Sequence, residues 1–232
     1  MVSSSTQQQQ QQQALHDIHL QFASLKLPGH CPPGVYVQQD EQDPLTLHGV
    51  LFPPSEGIYR GGVFRFLIAW TGSVLPSGST GEGGGGGKSK GSKAKGLITS
   101  FPRVTFQEGV GHPLISSDTR LLSLSPRFPT WRPRTDTLPH LLYYIRDVFS
   151  AQALEEIATK ETWWTDKEIG RLLQTRPATF EKLAAQSVTL SSSRAVLHSS
   201  PPAGGKEPWS RGIGFPEMGE EELEAVRRDI FG

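Results

Sequence analysis

The only thiol in this 232-residue chain is also its strongest potential nucleophile. Cys31 follows His30, and a cysteine beside a histidine can act as a nucleophile or contribute to a metal site. There is no second cysteine and no ligand spacing around this pair. The favoured interpretation is therefore an ordinary loop thiol. A lone cysteine also excludes an internal disulfide, which is typical of a protein in a reducing compartment.

The stretch GEGGGGGKS superficially matches a phosphate-binding loop. Such a loop requires a glycine five residues before Gly87, where this chain has Glu82, and no buried strand precedes it. The four lysines between Lys88 and Lys95 could contact an acidic partner or a membrane, but a solvated run of charge is favoured. The sequence therefore predicts neither a cofactor nor a metal ion.

Charge and polarity narrow the class of protein. The 23 basic and 23 acidic residues cancel, whereas nucleic-acid-binding proteins usually carry a basic excess. The N-terminus has neither the basic nor the apolar part of a secretory signal, and no apolar run reaches the length of a membrane span. We therefore expect a soluble cytosolic protein that binds no nucleic acid and has no integral membrane segment.

Two segments lack the apolar side chains that a packed core requires. Gln7–Gln13 is a homopolymer, so residues 1–13 are predicted to be a disordered tail. Gly72–Gly96 holds 10 of the 25 glycines and is predicted to be a flexible insertion between two strands. The predicted organisation is one domain over residues 14–192 and a C-terminal tail over residues 193–232.

Alternating apolar residues bounded by glycine and proline predict four strands. They are expected at Val35–Val37, Leu45–Phe52, Val63–Trp70 and Arg103–Gln107. The third strand places four large apolar side chains on one face, at Phe64, Phe66, Ile68 and Trp70. Three short connections favour an antiparallel meander.

Helical spacing of apolar residues predicts helices before and after these strands. The first helix has apolar positions at Leu15, Ile18, Phe22 and Leu25. The clearest stripe has Pro139 in its first turn and runs through Leu138, Leu141, Leu142, Ile145, Val148 and Phe149. Thr165 and Glu168 have the spacing of a capping box that opens a helix to about Gln174, and Phe180–Val188 indicates another. The order predicts an α+β domain: an N-terminal helix, a four-stranded antiparallel meander and C-terminal helices.

Five segments occur in the order and spacing of a ubiquitin-conjugating enzyme. They are PPGVYVQQ, DPLTLHGVLFPPSEGIYRGGVFRFLI, FPRVTF, GHPL and SPRFPTWRP. The chain most closely resembles the catalytically inactive branch of that fold, the AKT-interacting protein (fused toes) family, as a fungal-type homologue. The resemblance covers roughly Leu15–Phe149 and implies a ubiquitin-conjugating-enzyme-like fold. It departs from active members where their Tyr-Pro pair is replaced by the glycine-rich insertion.

The resemblance also assigns the positions of the active site. Active members carry His-Pro-Asn and then, ten residues after the histidine, the cysteine that accepts ubiquitin as a thioester. This chain keeps His112 and Pro113, but Leu114 stands at the asparagine position and Leu122 at the cysteine position. Leucine has neither a nucleophile nor a hydrogen-bond donor, so no catalytic residue and no enzymatic activity are expected.

Two further interpretations concern the same segment. Ser123 and Ser125 flank the vacant cysteine position, and a residual enzyme would have to form an oxyester on one of them. A nucleophilic serine needs a paired base, which the sequence does not reveal, so this alternative is disfavoured. His112 is expected to be a structural turn residue and not a catalytic base.

The resemblance implies that the protein acts as an adaptor. The implied partners are a Hook-type coiled-coil protein and an FHIP-type protein, which would link early endosomes or other vesicles to the dynein motor. The protein would then be cytoplasmic, with peripheral membrane association through the complex. The alternative is a ubiquitin-pathway cofactor that pairs with an active ubiquitin-conjugating enzyme.

Two places are candidates for partner contact. Trp163 and Trp164 are expected to divide between core and interhelical packing, with partner contact as the alternative. A short helix over residues 220–230 would carry Leu223, Val226 and Ile230 on one side. This helix either docks on its own domain or recognises a partner.

Overall fold

A four-stranded antiparallel sheet forms the centre of the protein. The computed structural model describes residues 15–70, 101–132, 135–198, 213–215 and 218–231. The strands follow one another in the order β1-β2-β3-β4, which confirms the predicted meander. They are β1 (Val35–Gln39), β2 (Thr46–Leu51), β3 (Phe64–Trp70) and β4 (Pro102–Phe106), each within two residues of its predicted bounds.

The inner face of the sheet is apolar, as the alternation in β3 predicts. Phe64, Phe66, Ile68 and Trp70 are all buried in the core. Gly49 lies opposite Phe66 in the register of β2 with β3. A Cβ at Gly49 would fall 2.2 Å from the Phe66 ring, so only glycine leaves room for that ring against the sheet.

The helices pack around this sheet. Helix α1 is described over residues 15–24. The others are α2 (Leu138–Asp147), α3 (Ala151–Thr159), α4 (Lys167–Thr175), α5 (Pro177–Ser191), α6 (Arg194–Leu197) and α7 (Glu220–Phe231), with a 3₁₀ turn at Glu161–Trp163. An unpaired N–H at the start of α2 is satisfied by α1, because Leu138 N donates to Gln21 Oε1 at 2.7 Å.

Phe149 joins the sheet to the helices. The residue follows α2 instead of lying inside it, as does Val148, although both belong to the predicted stripe and both are buried. The Phe149 ring lies 5.3 Å from that of Phe64 and 5.1 Å from that of Tyr59, measured between centroids. Aromatic contacts of this kind fix the orientation of the chain after α2 relative to the sheet.

The predicted cap of α4 is wrong by one residue. Asp166, and not Thr165, precedes the helix, and its carboxylate accepts a hydrogen bond from Ile169 N at 2.9 Å. The Asp166 carboxylate also accepts a hydrogen bond from the Ser117 hydroxyl, and these two residues are far apart in the sequence. Aspartate therefore caps the helix and ties it to a distant turn, a tertiary contact that the capping-box spacing does not contain.

The outer face of the sheet is partly covered by residues that follow α5. Arg65 donates hydrogen bonds to the carbonyl oxygens of Val196, at 2.7 Å, and Leu197, at 3.0 Å. Its guanidinium also lies 5.4 Å from the centre of the Phe215 ring. Residues after α5 thus pack on the face opposite the core.

Several predictions fall on residues outside the described ranges. Gln7–Gln13, Gly72–Gly96 and the lysines from Lys88 to Lys95 all lie there. The division into a domain over 14–192 and a tail over 193–232 stays a prediction. Among the described residues, no helix is long and apolar enough to cross a membrane.

Candidate functional site

His112 is enclosed in the protein and engaged through both ring nitrogens. Its Nδ1 accepts a hydrogen bond from Leu114 N at 3.1 Å, so the proton resides on Nε2, which donates to Val148 O at 3.0 Å. The side chain is fully buried, and burial lowers its pKa from the usual 6.5 to about 4 despite the opposing effect of the Val148 carbonyl. The neutral imidazole stabilises the turn. Because both of its nitrogens are hydrogen-bonded within the protein, neither is available to a substrate.

Pro113 connects the same turn to α4. Its carbonyl oxygen accepts hydrogen bonds from Thr165 N at 2.9 Å and from Asp166 N at 3.0 Å. The start of α4 is therefore held directly against the His112–Leu114 turn. The turn is part of the internal framework of the domain.

The two leucines at the positions that the resemblance assigns to the asparagine and the cysteine are core residues. Leu114 is 1% exposed and Leu122 is 5% exposed. Ser123 N donates to Leu114 O at 2.8 Å, and Leu122 N donates to Val104 O, within β4, at 2.9 Å. The backbone thus brings the two positions together, but the side chains there are buried and apolar.

The neighbouring serines, Ser123 and Ser125, bond to each other. The hydroxyl oxygens of Ser123 and Ser125 lie 2.9 Å apart and share a hydrogen bond. Tyr144 donates to the Ser123 carbonyl at 2.6 Å, and burial raises the pKa of this tyrosine. Within the described part of the chain, neither serine hydroxyl bonds to a histidine or a carboxylate.

Cys31 lies four residues before β1. Its thiol is half-buried and donates to Val35 O at 3.2 Å. Burial raises the pKa of the thiol, which lowers the fraction present as the nucleophilic thiolate. The described residues contain no cluster of three or more side chains suited to a metal ion.

The two adjacent tryptophans have different environments. Trp164 is 7% exposed, and its indole N–H donates to Ile157 O at 2.8 Å. A Cβ at Gly170 would fall 2.2 Å from the Trp164 ring, so α4 packs directly on the indole. Trp163 is only half-buried, and Lys160 Nζ lies 4.0 Å from the centre of its ring.

Trp163 lines a groove that reaches the vacant asparagine position. This Trp163 groove has a volume of about 430 Å³ and runs between α2, α3 and the loop after Leu122. Its apolar lining includes Leu114, Val148, Ile157 and Trp163, and its polar lining includes Arg127 and Glu156. Partner contact by Trp163 is only the alternative interpretation of the sequence and stays a prediction. The groove is not predicted, because residues distant in sequence create it.

Helix α7 presents the other predicted contact residues. Leu223 is 40% exposed and Val226 is 38% exposed, while the Ile230 side chain lies outside the description. Glu222 accepts a hydrogen bond from Gly219 N at 3.2 Å and so closes the first turn. The helix forms where its periodicity predicts, and its described apolar side chains are uncovered.

A second groove, which the sequence did not predict, lies along α5. It includes Arg120, which has a φ of 60°, in the left-handed region that favours glycine or asparagine. The polar run SSDTR before Leu121 is typical of a tight turn, but it does not identify which residue takes the unusual conformation.

Comparison with known proteins places this geometry in a family context. No family model matches the chain. Protein crossbronx of Drosophila mojavensis is 31% identical over 173 residues, which are 73% of this chain and 60% of that protein. The crossbronx homolog of Anopheles gambiae is 28% identical over 147 residues, 63% of this chain and 54% of that protein. AKT-interacting protein of Salmo salar is 27% identical over 138 residues, 59% of this chain and 39% of that protein.

The chain is a homologue of crossbronx and of the AKT-interacting proteins. It spans about 60% of the length of the first crossbronx proteins it matches. Neither name denotes an enzymatic activity, and the name of the salmon protein indicates protein binding. The fungal type of homologue stays a prediction, since these relatives come from insects and a fish.

Proposed function

We propose that this protein is a non-catalytic ubiquitin-conjugating enzyme variant that works by binding other proteins. The sheet, the flanking helices and the His112-Pro113 turn support a ubiquitin-conjugating-enzyme-like fold, together with the five matching segments and the kinship with AKT-interacting proteins. The domain over residues 14–192 carries this fold, with the insertion between β3 and β4.

The observation that carries the proposal is the burial of Leu122. A ubiquitin-accepting cysteine must be reachable by the C-terminus of ubiquitin, and the residue at this position is an apolar side chain with 5% exposure. Leu114 removes the amide donor that would stabilise the oxyanion. Both essential contributions to thioester chemistry are absent from the positions that should supply them.

The binding role we propose is that of an adaptor subunit. A Hook-type coiled-coil protein and an FHIP-type protein are the proposed partners, and the complex would join early endosomes or vesicles to dynein in the cytoplasm. The half-buried Trp163 with its groove and the exposed face of α7 offer surfaces for such contacts. The salmon relative is named for interaction with AKT, so AKT is a further candidate partner.

The second candidate function is a cofactor of ubiquitin conjugation. A domain with this fold and a vacant centre could pair with an active conjugating enzyme and position ubiquitin. Its support is the kept His112-Pro113 turn, which preserves the framework around the former centre. It predicts partners of a different kind from those of the adaptor.

A charging assay tests the absence of catalysis. The protein is incubated with ubiquitin-activating enzyme, ATP and ubiquitin, with an active conjugating enzyme as the positive control. We expect no adduct sensitive to thiol or to hydroxide, and Leu122→Cys is expected to remain uncharged because Leu114 and the buried surroundings are unchanged. A hydroxide-sensitive adduct that Ser123→Ala or Ser125→Ala removes would establish a residual enzyme instead.

Affinity purification from the native organism separates the two binding functions. The adaptor predicts co-purification of Hook-type, FHIP-type and dynein components, and reciprocal purification on the Hook-type protein should recover this chain. Recovery of an active conjugating enzyme and ubiquitin ligases, with none of the transport proteins, would favour the cofactor and reject the adaptor.

A further inference from the structure

A groove along α5 has a rigid wall and is formed before any ligand arrives. This α5 groove, about 370 Å³, lies between α5, the turn that ends at Arg120 and the loop after β4. Gly111 N in that loop donates to Ser187 Oγ at 2.9 Å, and Gly111 O accepts from the buried Tyr59 hydroxyl at 2.6 Å. Because the loop is bonded on both sides, the groove is a permanent feature of the fold.

The α5 groove combines an apolar wall with two charges. Leu183, Leu190 and Ile169 line it, and Leu190 is 47% exposed. Arg120 and Glu108 line it as well, and within the described part of the chain neither forms an ion pair. The surface therefore suits an apolar segment that carries both an acidic and a basic side chain.

The backbone of Arg120 points to a role beyond closing the turn. Its φ of 60° is unfavourable for any residue with a Cβ, and no other described non-glycine residue has a positive φ. The turn itself needs only backbone atoms, since Arg120 N donates to Ser116 O at 2.8 Å and Arg120 O accepts from Phe106 N at 2.9 Å. Glycine would meet these requirements without strain, so the arginine side chain is what the position supplies.

Helix α7 has the complementary pattern. Its first turn carries Glu220, Glu221 and Glu222, its exposed apolar side chains are Leu223 and Val226, and the exposed basic Arg228 follows. Every α7 side chain that the structure describes is exposed, so on its own chain the helix leaves this surface uncovered. An amphipathic helix in this state is suited to binding in a groove.

We propose that α7 of one copy of this protein binds in the α5 groove of a second copy. Leu223 and Val226 would pack on Leu183 and Leu190, and the acidic first turn would lie near Arg120. Arg228 would then be available to Glu108.

The contact is reciprocal: each copy places its α7 in the α5 groove of the other. Two such contacts, related by a two-fold axis, close a dimer in which both grooves are filled. Residue Phe215, which packs on Arg65, lies five residues before α7. That length of chain extends at most about 18 Å, so each α7 begins close to the sheet of its own copy. This inference goes beyond the proposed function, and its test uses the purified chain alone.

The test is the concentration dependence of the molar mass of the full chain, by light scattering and analytical ultracentrifugation. We expect a monomer–dimer equilibrium that Arg120→Glu weakens roughly tenfold or more, since it replaces a charge-assisted contact with repulsion. Arg103→Glu makes the same charge change at an exposed site on β4 outside the groove, and it should leave the equilibrium unchanged.

A charge swap provides the decisive measurement. Glu220→Lys with Glu221→Lys should weaken the dimer alone and restore it when combined with Arg120→Glu, which simple misfolding cannot do. Glu222 is kept because it closes the first turn of α7. Arg120→Gly should keep or raise the melting temperature while it weakens association, which separates binding from folding. A chain that is monomeric at every concentration, or a dimer that is indifferent to Arg120→Glu, overturns the proposal.

Discussion

The side chains around His112 and those of α7 differ in burial and in hydrogen bonding. His112 is fully buried with both ring nitrogens bonded, and the adjacent Pro113 carbonyl receives two N–H groups from the start of α4. In α7 the apolar Leu223 and Val226 face solvent. The His112–Pro113 turn is thus part of the internal framework, whereas the described apolar side chains of α7 are open to contact. Substitutions in the first region should affect folding, and substitutions in the second should affect association.

The largest effect is expected at Trp164, and its neighbour is the matched control. Trp164→Ala removes a buried indole and its hydrogen bond to Ile157, so the free energy of unfolding should fall by about 3–5 kcal/mol. Trp163→Ala removes a half-buried ring and should cost about 1 kcal/mol or less. Urea unfolding measures both. Equal costs would mean that the two tryptophans share one environment and that the Trp163 groove is not a free surface.

Burial of His112 should make the free energy of unfolding fall as the pH is lowered. The folded pKa of about 4 is below the usual 6.5, so between these values the unfolded chain binds a proton that the folded chain excludes. Stability from this residue is complete above pH 6.5 and is lost as the pH falls toward 4, by up to about 3 kcal/mol. Unfolding free energies measured from pH 7.5 to pH 4 provide the test.

The variant His112→Gln isolates this contribution. It should lower stability at pH 7.5 by about 2 kcal/mol, because one of two buried hydrogen bonds is lost. Its stability should also fall less steeply toward pH 4 than that of the wild type. Parallel pH profiles of the two proteins would show that another group causes the acid sensitivity.

Truncation after Gly219 should change binding and not folding. Since the described side chains of α7 are exposed on their own chain, we expect the free energy of unfolding of the monomer, measured at a concentration where no dimer forms, to change by no more than about 0.5 kcal/mol. Pull-down of the proposed Hook-type partner should weaken, and circular dichroism confirms that the remainder is folded. A truncated chain that binds that partner normally would move the partner interface to the Trp163 groove.

The glycine-rich insertion is also expected to have only a small effect on stability. Replacing Gly72–Gly96 by a short turn should change the free energy of unfolding by about 1 kcal/mol at most, because loop closure entropy depends only on the logarithm of length. Thermal unfolding of the deletion measures this. A collapse of the transition would mean that the segment packs on the domain.

Local sequence patterns were enough to predict the strands and α2, and the residue types at positions 114 and 122 are plain from the sequence. The strands and the helix α2 follow from local alternation and periodicity, and the residue types at Leu114 and Leu122 supply neither a thiol nor an amide whatever their packing. Such properties depend on a few neighbours along the chain, so a pattern is enough to read them.

Tertiary packing settles that Trp164 and not Trp163 is buried, that Asp166 at the start of α4 bonds to Ser117, and that α6 and Phe215 cover Arg65. It also placed Arg120 beside Leu183 and Leu190 in a groove. Each of these features joins residues that are far apart in the chain. Their meeting depends on how the elements pack together, and the order of residues within one element carries no record of that packing.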